Sequence, residues 1–187
     1  ALGRLNEKLK KGNSKRTIAV FFFIPGNIRS ANVDILKSKA AFEDIADSVD
    51  DELDEMRRRI IHAIMNREMP SESKLFSEDF TYSMRTNIMA MKKNENPPLS
   101  THELVEGEND AMMKAFRDNG LENKKSDKVK VIIYPSYLST ADGLLDMNYY
   151  DAIWGCHLGV FPSSYEPWGY TPMECAAHGV PSITTDL

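Results

Sequence analysis

The chain has 187 residues, of which 42% are hydrophobic, and this is enough for one domain with a sizeable core. Its net charge of -5 argues against nucleic acid or an anionic membrane surface as a partner. It has no apolar run of about 18 residues, so we expect no membrane span. Cys156 and Cys175 lack metal-ligand spacing and fit reduced packing residues of a cytoplasmic protein.

The outer segments of the chain alternate between predicted strands and helices. A first helix has no cap before it and ends near Gly12, and the chain stops close to a strand, so we expect a piece of a longer protein. The run 17–24 is β-branched and aromatic throughout, which is typical of a strand buried on both faces. Later elements are a strand at 129–134, a helix at 148–156, a strand at 158–161, a helix at 172–178 and a strand at 180–185. This alternation predicts an α/β fold with a parallel sheet, whose ligands bind at the carboxyl ends of the strands.

Residues 33–120 differ from the rest and predict a long helical insert. Its first helix carries an apolar stripe with steps of three and four residues, made of Phe42, Ile45, Val49, Leu53, Met56, Ile60 and Ile64. The polar face of this helix is acidic first and basic later, so an antiparallel partner would bring opposite charges together. Packing of the helix on its own domain explains the stripe equally well. A second helix is predicted at 77–91, before a break that contains Pro97 and Pro98.

Two glutamates, Glu166 and Glu174, flank a turn that contains tryptophan, glycine and proline. Thr171, Pro172 and Glu174 match a helix start, with threonine as N-cap, proline at the first helical position and glutamate completing a capping box. The N–H groups around Gly169 would then lie at a helix N-terminus, which suits a phosphate. Two plainer interpretations stay open: Glu174 as a capping residue only, and Glu166 as a solvated loop residue.

Aromatic and histidine side chains near this turn add to the pattern. Trp168 and Tyr170 offer flat faces with one polar group each, a common surface for packing against sugars and bases. His157 directly precedes a predicted strand, where a lone histidine is usually a packing residue. The remaining histidines show no ligand spacing, so we expect no metal. The absence of a Gly-x-Gly-x-x-Gly or phosphate-loop lysine motif argues against a dinucleotide oxidoreductase or a nucleotide hydrolase.

The segment around the glutamate pair closely resembles the eukaryotic glycogen synthase family. The matching residues are Gly155-Cys156-His157-Leu158-Gly159-Val160-Phe161-Pro162-Ser163, Tyr165-Glu166-Pro167-Trp168-Gly169-Tyr170-Thr171-Pro172, Glu174-Cys175 and Gly179-Val180-Pro181-Ser182-Ile183-Thr184-Thr185. Weaker resemblance runs through 2–6, 129–132 and the helical insert. Glutamates with seven residues between them recur in many nucleotide-sugar transferases, but this intervening wording is specific.

The resemblance implies a retaining glucosyltransferase of the two-lobed GT-B architecture, which moves glucose from UDP-glucose to the non-reducing 4-hydroxyl of glycogen without a metal or other cofactor. The chain would be part of the C-terminal, donor-binding lobe. Residues 1–32 and 121–187 would form its partial Rossmann-like domain with a parallel sheet, and 33–120 the long helical insert. Two alternatives remain: a non-catalytic assembly or docking fragment, and a GT-B transferase that uses another nucleotide sugar.

The resemblance also assigns the catalytic pair and the sugar contacts. Glu166 would contact the donor glucose, and Glu174, the second glutamate of the pair, would lie close to the nucleotide. The backbone of Trp168 and Gly169 would meet the sugar hydroxyls.

The remaining roles implied by the resemblance concern the nucleotide and the activator. Tyr170 and Thr171 would meet the diphosphate, Tyr149 would stack on uracil, and Tyr137 would lie beside the base. His157 would line a pocket for the activator glucose-6-phosphate. The expected partners are glycogen, glycogenin and further copies of the chain, assembled as a homo-tetramer through the helical insert.

Overall fold

A computed structural model of the chain describes residues 1–90, 96–165 and 168–185, which belong to two units, Ala1–Ser136 and Tyr137–Leu187. The helices of the first unit are α1 (Leu2–Lys11), α2 (Val33–Met65), α3 (Glu72–Leu75), α4 (Glu78–Ala90) and α5 (Ala111–Asp118). Its strands are β1 (Ile18–Phe23), β2 (Ile28–Ala31), β3 (His102–Leu104) and β4 (Val129–Tyr134). The second unit contains α6 (Tyr149–Trp154), β5 (Gly159–Phe161), α7 (Tyr170–Ala177) and β6 (Ser182–Thr184). The chain is mixed α/β with short parallel sheets, which is compatible with the expected α/β fold.

The core of the first unit lies against a parallel pair of strands. β1 pairs with β4 from Ile18 opposite Val129 to Phe23 opposite Tyr134. The buried members of this core are Phe116, Leu121, Val129, Val131 and Ile133, and apolar residues of α1 pack against them. The predicted strand 129–134 is confirmed residue for residue.

The prediction that β1 is buried on both faces is wrong for the chain as it stands. On one face of β1, Phe21 is 43% and Phe23 is 37% exposed. Val20 and Phe22, on the opposite face, pack against the core. Within the described part of the chain β1 pairs only with β4, and helices cover one face of the pair, so the apolar run has one buried side.

A second pair of strands was not predicted from the sequence. β2 and β3 run antiparallel, with Ala31 opposite His102 and a register shift between Ile28 and Ser30. The range 33–120 therefore contains a short strand and the core helix α5 in addition to its long helices.

Asn6 of α1 is a buried polar residue that fastens the helix to the start of β4. Its side chain is 1% exposed, and its Oδ1 accepts from the N–H groups of Lys128 (2.8 Å) and Val129 (3.1 Å). Its Nδ2 donates to Oδ1 of Asp127 at 3.0 Å. A buried amide is tolerated here because the bonds replace those it would make with water.

The Asp127 carboxylate completes this buried network. Lys10 lies 2.8 Å from its Oδ1, and the N–H of Lys124 donates to its Oδ2 at 2.7 Å. Burial acts to raise the pKa of Asp127, but the hydrogen bonds from Lys10, Asn6 and Lys124 outweigh burial, and the pKa lies below its usual value. The ionised form is therefore the one that the fold stabilises.

α2 is the longest element, with 33 residues. Its N-cap is Asn32, whose side chain accepts from the N–H groups of Asp34 and Ile35. No residue of α2 is fully buried, and in its apolar stripe Phe42 is 65% and Ile64 is 61% exposed. Among the described residues, no helix is both long and apolar enough to cross a membrane.

Glu52 connects α2 to the beginning of α4. Its carboxylate accepts from the N–H of Ser77 at 2.8 Å and from the Ser77 hydroxyl at 2.9 Å. Arg59, two turns along α2, donates to both Glu52 and the carbonyl oxygen of Leu75, each at 2.8 Å. The second predicted helix is confirmed at Glu78–Ala90, and Met91 of that prediction lies outside the described residues.

The second unit is a strand-helix-strand arrangement with its own small core. β5 and β6 are parallel, and Ile153 of α6, Cys175 of α7 and Val180 form the buried cluster, with Phe161 packed against it. Burial raises the pKa of the Cys175 thiol, as expected for a packing residue. A Cβ on Gly159 would lie 2.9 Å from Cys175 Sγ, so only glycine lets β5 approach α7 this closely.

The pH dependence of stability tests the Asp127 network. Because the folded-state pKa of Asp127 is depressed, the folded state binds fewer protons than the unfolded state, and its stabilisation is lost as the pH falls below about 4. We expect Asp127→Asn to lower the free energy of unfolding at pH 7 by about 1–3 kcal/mol. The difference from the unsubstituted protein should shrink in urea titrations as the pH is lowered.

Asp118→Asn is the matched control, because Asp118 is exposed at the end of α5. We expect it to change the free energy of unfolding by less than about 0.5 kcal/mol. An Asp127→Asn protein that keeps the original stability and pH profile would contradict this account.

Candidate functional site

α7 begins at Tyr170, earlier than the sequence predicts. Its N-cap is Gly169 in the left-handed conformation, with φ 61° and ψ 42°, and no side chain caps the helix. The N–H of Met173 donates to the Gly169 carbonyl oxygen at 3.3 Å, so Thr171 and Pro172 already lie in the first turn. The predicted capping box of Thr171 and Glu174 is therefore wrong. Pro172 is tolerated because first-turn N–H groups have no partner within the helix.

The start of α7 exposes groups that suit an anion and a ring. Tyr170 and Thr171 are the first two helical residues, so their N–H groups point outward at the N-terminus of the helix, which is the positive end of its dipole. Trp168 is 72% and Tyr170 is 61% exposed beside them. Glu166, the first glutamate of the predicted pair, lies outside the described residues.

Glu174 faces α6 rather than the cap of its own helix. The hydroxyl of Tyr150 donates to Oε1 of Glu174 at 3.4 Å. Burial raises the pKa of Tyr149 to about 12, and a hydrogen bond with Glu174 and its negative charge act in the same direction. Tyr149, which is 36% exposed, is therefore a neutral phenol beside a carboxylate. The structure thus brings two of the predicted site residues, Tyr149 and Glu174, together.

The capping box of α6 places these tyrosines. Asn148 accepts from the N–H groups of Tyr150 and Asp151, and the Asp151 side chain accepts from the Asn148 N–H. The helix therefore starts at Tyr149, and both tyrosines occupy its first turn. Their rings lie 5.5 Å apart.

Comparison with known proteins shows the family to which the chain belongs. A family model described as glycogen synthase matches residues 1–187. The liver glycogen [starch] synthases of Rattus norvegicus and Homo sapiens are each 37% identical over 187 residues, and the glycogen [starch] synthase of Neurospora crassa is 38% identical over 191 residues. Each alignment covers 100% of this chain.

The chain belongs to the glycogen synthase family. It spans 27% of the length of these three relatives. Relatives of this name are glycosyltransferases, so the resemblance found from the sequence is confirmed at the level of the family.

Two further predicted site residues, Tyr137 and His157, show no described contact with Tyr149 or Glu174. Tyr137 is 80% exposed at the beginning of the second unit. His157 is exposed in the short connection between α6 and β5. The described contacts join neither of them to Glu174, and their roles stay predictions.

Sequence reasoning missed two residues that contact this cluster. Tyr150 contacts Glu174, and its ring stacks on His178 with centroids 5.3 Å apart and planes 25° apart. Helical spacing could have indicated His178, because it lies four positions after Glu174 and therefore on the same side of the helix. Within the described residues, no group of three or more His, Cys, Asp or Glu side chains is arranged to hold a metal.

The left-handed start of α7 can be tested by a pair of glycine substitutions. Gly169 and Gly143 both have positive φ (61° and 76°), and a Cβ at either would meet nothing within 4 Å. Each alanine substitution should therefore cost a similar 1–2 kcal/mol of backbone strain, roughly. We expect only Gly169→Ala, which adds a methyl beside the N–H groups of α7, to weaken UDP binding to the full-length protein, by about tenfold.

Isothermal calorimetry with UDP, alongside urea unfolding of both variants, makes the comparison. Equal UDP affinities for Gly169→Ala and Gly143→Ala would count against an anion at the start of α7.

Proposed function

We propose that this chain is part of the donor-binding lobe of a GT-B glycogen synthase, which transfers glucose from UDP-glucose to the non-reducing 4-hydroxyl of glycogen with retention. The observation that carries the proposal is the match of the whole chain to the glycogen synthase family. The geometry of the second unit supports it, because an aromatic ring, a carboxylate and an open helix N-terminus lie on neighbouring elements. Those are the groups needed to hold a base, a ribose or sugar hydroxyl and a diphosphate.

The negative charge on the departing diphosphate explains why hydrogen-bond donors are needed at the start of α7. As the bond from glucose to UDP breaks, negative charge grows on the β-phosphate oxygens. The N–H groups of Tyr170 and Thr171 would donate to those oxygens, and they need no reorganisation because the helix already holds them. Fixed donors of this kind usually supply the largest single share of the rate enhancement.

The remaining donor groups have complementary tasks in this proposal. Tyr149 would stack on uracil, with Tyr137 beside the base. Glu174 would accept from hydroxyls of the nucleotide, and Trp168 and Gly169 would meet the sugar. Since these groups are neutral or anionic, the positive charge that balances the diphosphate would come mainly from backbone N–H groups in this chain.

Glu166 would orient the glucose and favour positive character at the anomeric carbon. In a retaining transfer the acceptor hydroxyl attacks the same face of the sugar that the diphosphate leaves. A carboxylate beside the sugar would stabilise the positive charge that develops at the anomeric carbon between departure of the diphosphate and attack by the acceptor. We do not assign Glu166 as a covalent nucleophile. The family resemblance implies that this chemistry proceeds without a metal or other cofactor.

Regulation and partners belong to the same proposal. His157 would line the glucose-6-phosphate pocket, where its exposed imidazole is accessible to an anion. Glycogen is the proposed acceptor, and glycogenin the proposed source of the first chains.

The apolar stripe of α2 supports a role in assembly. Val49 and Leu53 are 37% and 44% exposed in the single chain, although both are aliphatic. The acidic residues between positions 44 and 55 are followed by Arg57, Arg58 and Arg59, and an antiparallel pair of α2 helices would bring these opposite charges together. We propose that a homo-tetramer forms through this stripe.

Donor selectivity tests the proposed reaction. We expect the full-length protein to bind UDP-glucose at least about tenfold more tightly than ADP-glucose or GDP-mannose in parallel calorimetric titrations, since a factor of ten corresponds to about 1.4 kcal/mol of base recognition. Tighter binding of another nucleotide sugar would leave the GT-B proposal in place but show that UDP-glucose is not the donor. Binding of none of the three would refute the transferase proposal.

Light scattering on the full-length protein tests the assembly role. The double variant Val49→Asp, Leu53→Asp should dissociate the oligomer, because an antiparallel pair would bury four uncompensated carboxylates. Ala40→Asp is the control, since position 40 lies nine residues from Val49 and therefore on the opposite side of the helix. An unchanged mass for the double variant would exclude the stripe as an interface.

A further inference from the structure

We propose that Tyr150 is a positioning residue for the glucosyl transfer: it holds the Glu174 carboxylate in its donor-binding orientation, and His178 holds Tyr150. This inference rests on the proposed function, because it takes Glu174 to contact the donor. It adds two residues, Tyr150 and His178, to which the sequence assigned no role.

The hydroxyl of Tyr150 provides the direct contact. It lies 3.4 Å from Oε1 of Glu174, within hydrogen-bond distance. An ionised carboxylate can only accept hydrogen bonds, and the tyrosine hydroxyl supplies a donor. Both side chains remain partly accessible, since Tyr150 is 50% exposed and Glu174 is neither buried nor fully exposed. The pair is therefore at the surface of the second unit, where a ligand can reach the carboxylate.

The ring of Tyr150 contacts a second residue, His178, one helical turn beyond Glu174. His178 is the C-cap of α7 and follows Glu174 by four positions, about one helical turn. The Tyr150 ring stacks on His178 while its hydroxyl reaches Glu174. One side chain of α6 thus spans one turn of α7 and contacts it at two points.

Packing alone does not explain Tyr150. The core of this unit is formed by Ile153, which is 7% exposed, together with Cys175 and Val180. Half of Tyr150 stays in solvent, so replacing its hydroxyl by hydrogen removes no core contact. What the hydroxyl does is restrict a flexible glutamate.

The restriction has a consequence for binding. A free glutamate side chain loses rotamer freedom when it binds a ligand, and a side chain that is already held loses less. Tyr149 also makes a hydrogen bond with Glu174, so both tyrosines in the first turn of α6 contact the same side chain. A donor would therefore meet a carboxylate that is already oriented.

A double-mutant cycle in the full-length enzyme tests the inference. Tyr150→Phe keeps the ring stacked on His178 and removes only the hydroxyl. We expect it to raise the Kd and the KM for UDP-glucose about threefold to tenfold, the loss of one hydrogen bond to a charged group, while kcat changes by less than about twofold. In a Glu174→Gln background the same substitution should change the Kd by less than about twofold.

Two further variants complete the design. His178→Leu removes the stacking face but leaves the hydroxyl, and we expect it to raise the Kd for UDP-glucose in the same direction as Tyr150→Phe. Tyr82→Phe removes a hydroxyl from a tyrosine of α4 that is 76% exposed and should leave donor binding unchanged. Circular dichroism and urea unfolding verify that each variant is folded.

The outcomes separate the inference from the proposed function. If the unsubstituted enzyme binds UDP-glucose but Tyr150→Phe binds it equally well, the positioning role is refuted and the transferase proposal stands. Equal factors in the two Glu174 backgrounds would also refute it, because a purely structural role does not depend on the carboxylate. An unsubstituted enzyme that does not bind UDP-glucose would overturn the proposed function and this inference with it.

Discussion

The left-handed backbone of Gly169 determines where α7 begins, and the candidate site depends on that beginning. With φ at 61°, the chain enters the helix at Tyr170, and Thr171 and Pro172 fall inside the first turn. Glu174 then lies past the first turn, where it is not needed as a cap and its carboxylate meets Tyr149 and Tyr150 on α6. A side chain at position 169 would make this start unfavourable, since only glycine adopts the left-handed region without cost.

Local sequence rules predicted those elements whose causes are local. The buried run of β4 has the predicted bounds, and Gly12 ends α1 as its position after three lysines indicated. Burial was harder to predict, because it depends on what covers a strand: β1 has the composition of a strand buried on both faces but is covered on one. The bonds of Asn6 to β4 join residues more than 120 positions apart, and nothing in the neighbourhood of Asn6 indicates them. The β2–β3 pair was missed for the same reason.

The local geometry of the candidate site differs from the sequence prediction, and the roles of its residues stay predictions. The motif from Trp168 to Glu174 was found because its wording is specific, whereas the capping box was assigned because threonine, proline and glutamate fit it individually. The left-handed Gly169 instead starts the helix at Tyr170, and Glu174 contacts Tyr150 of α6. Tyr150 and His178 were missed because these two residues are more than twenty positions apart along the chain and neither belongs to a motif.

A crystal structure of the full-length protein with UDP bound tests the central claim most directly. The account predicts that the diphosphate oxygens accept from the N–H groups of Tyr170 and Thr171, that uracil stacks on Tyr149, and that Glu174 keeps its contact with Tyr150. A diphosphate bound away from the beginning of α7, with Glu174 turned toward solvent, would contradict it.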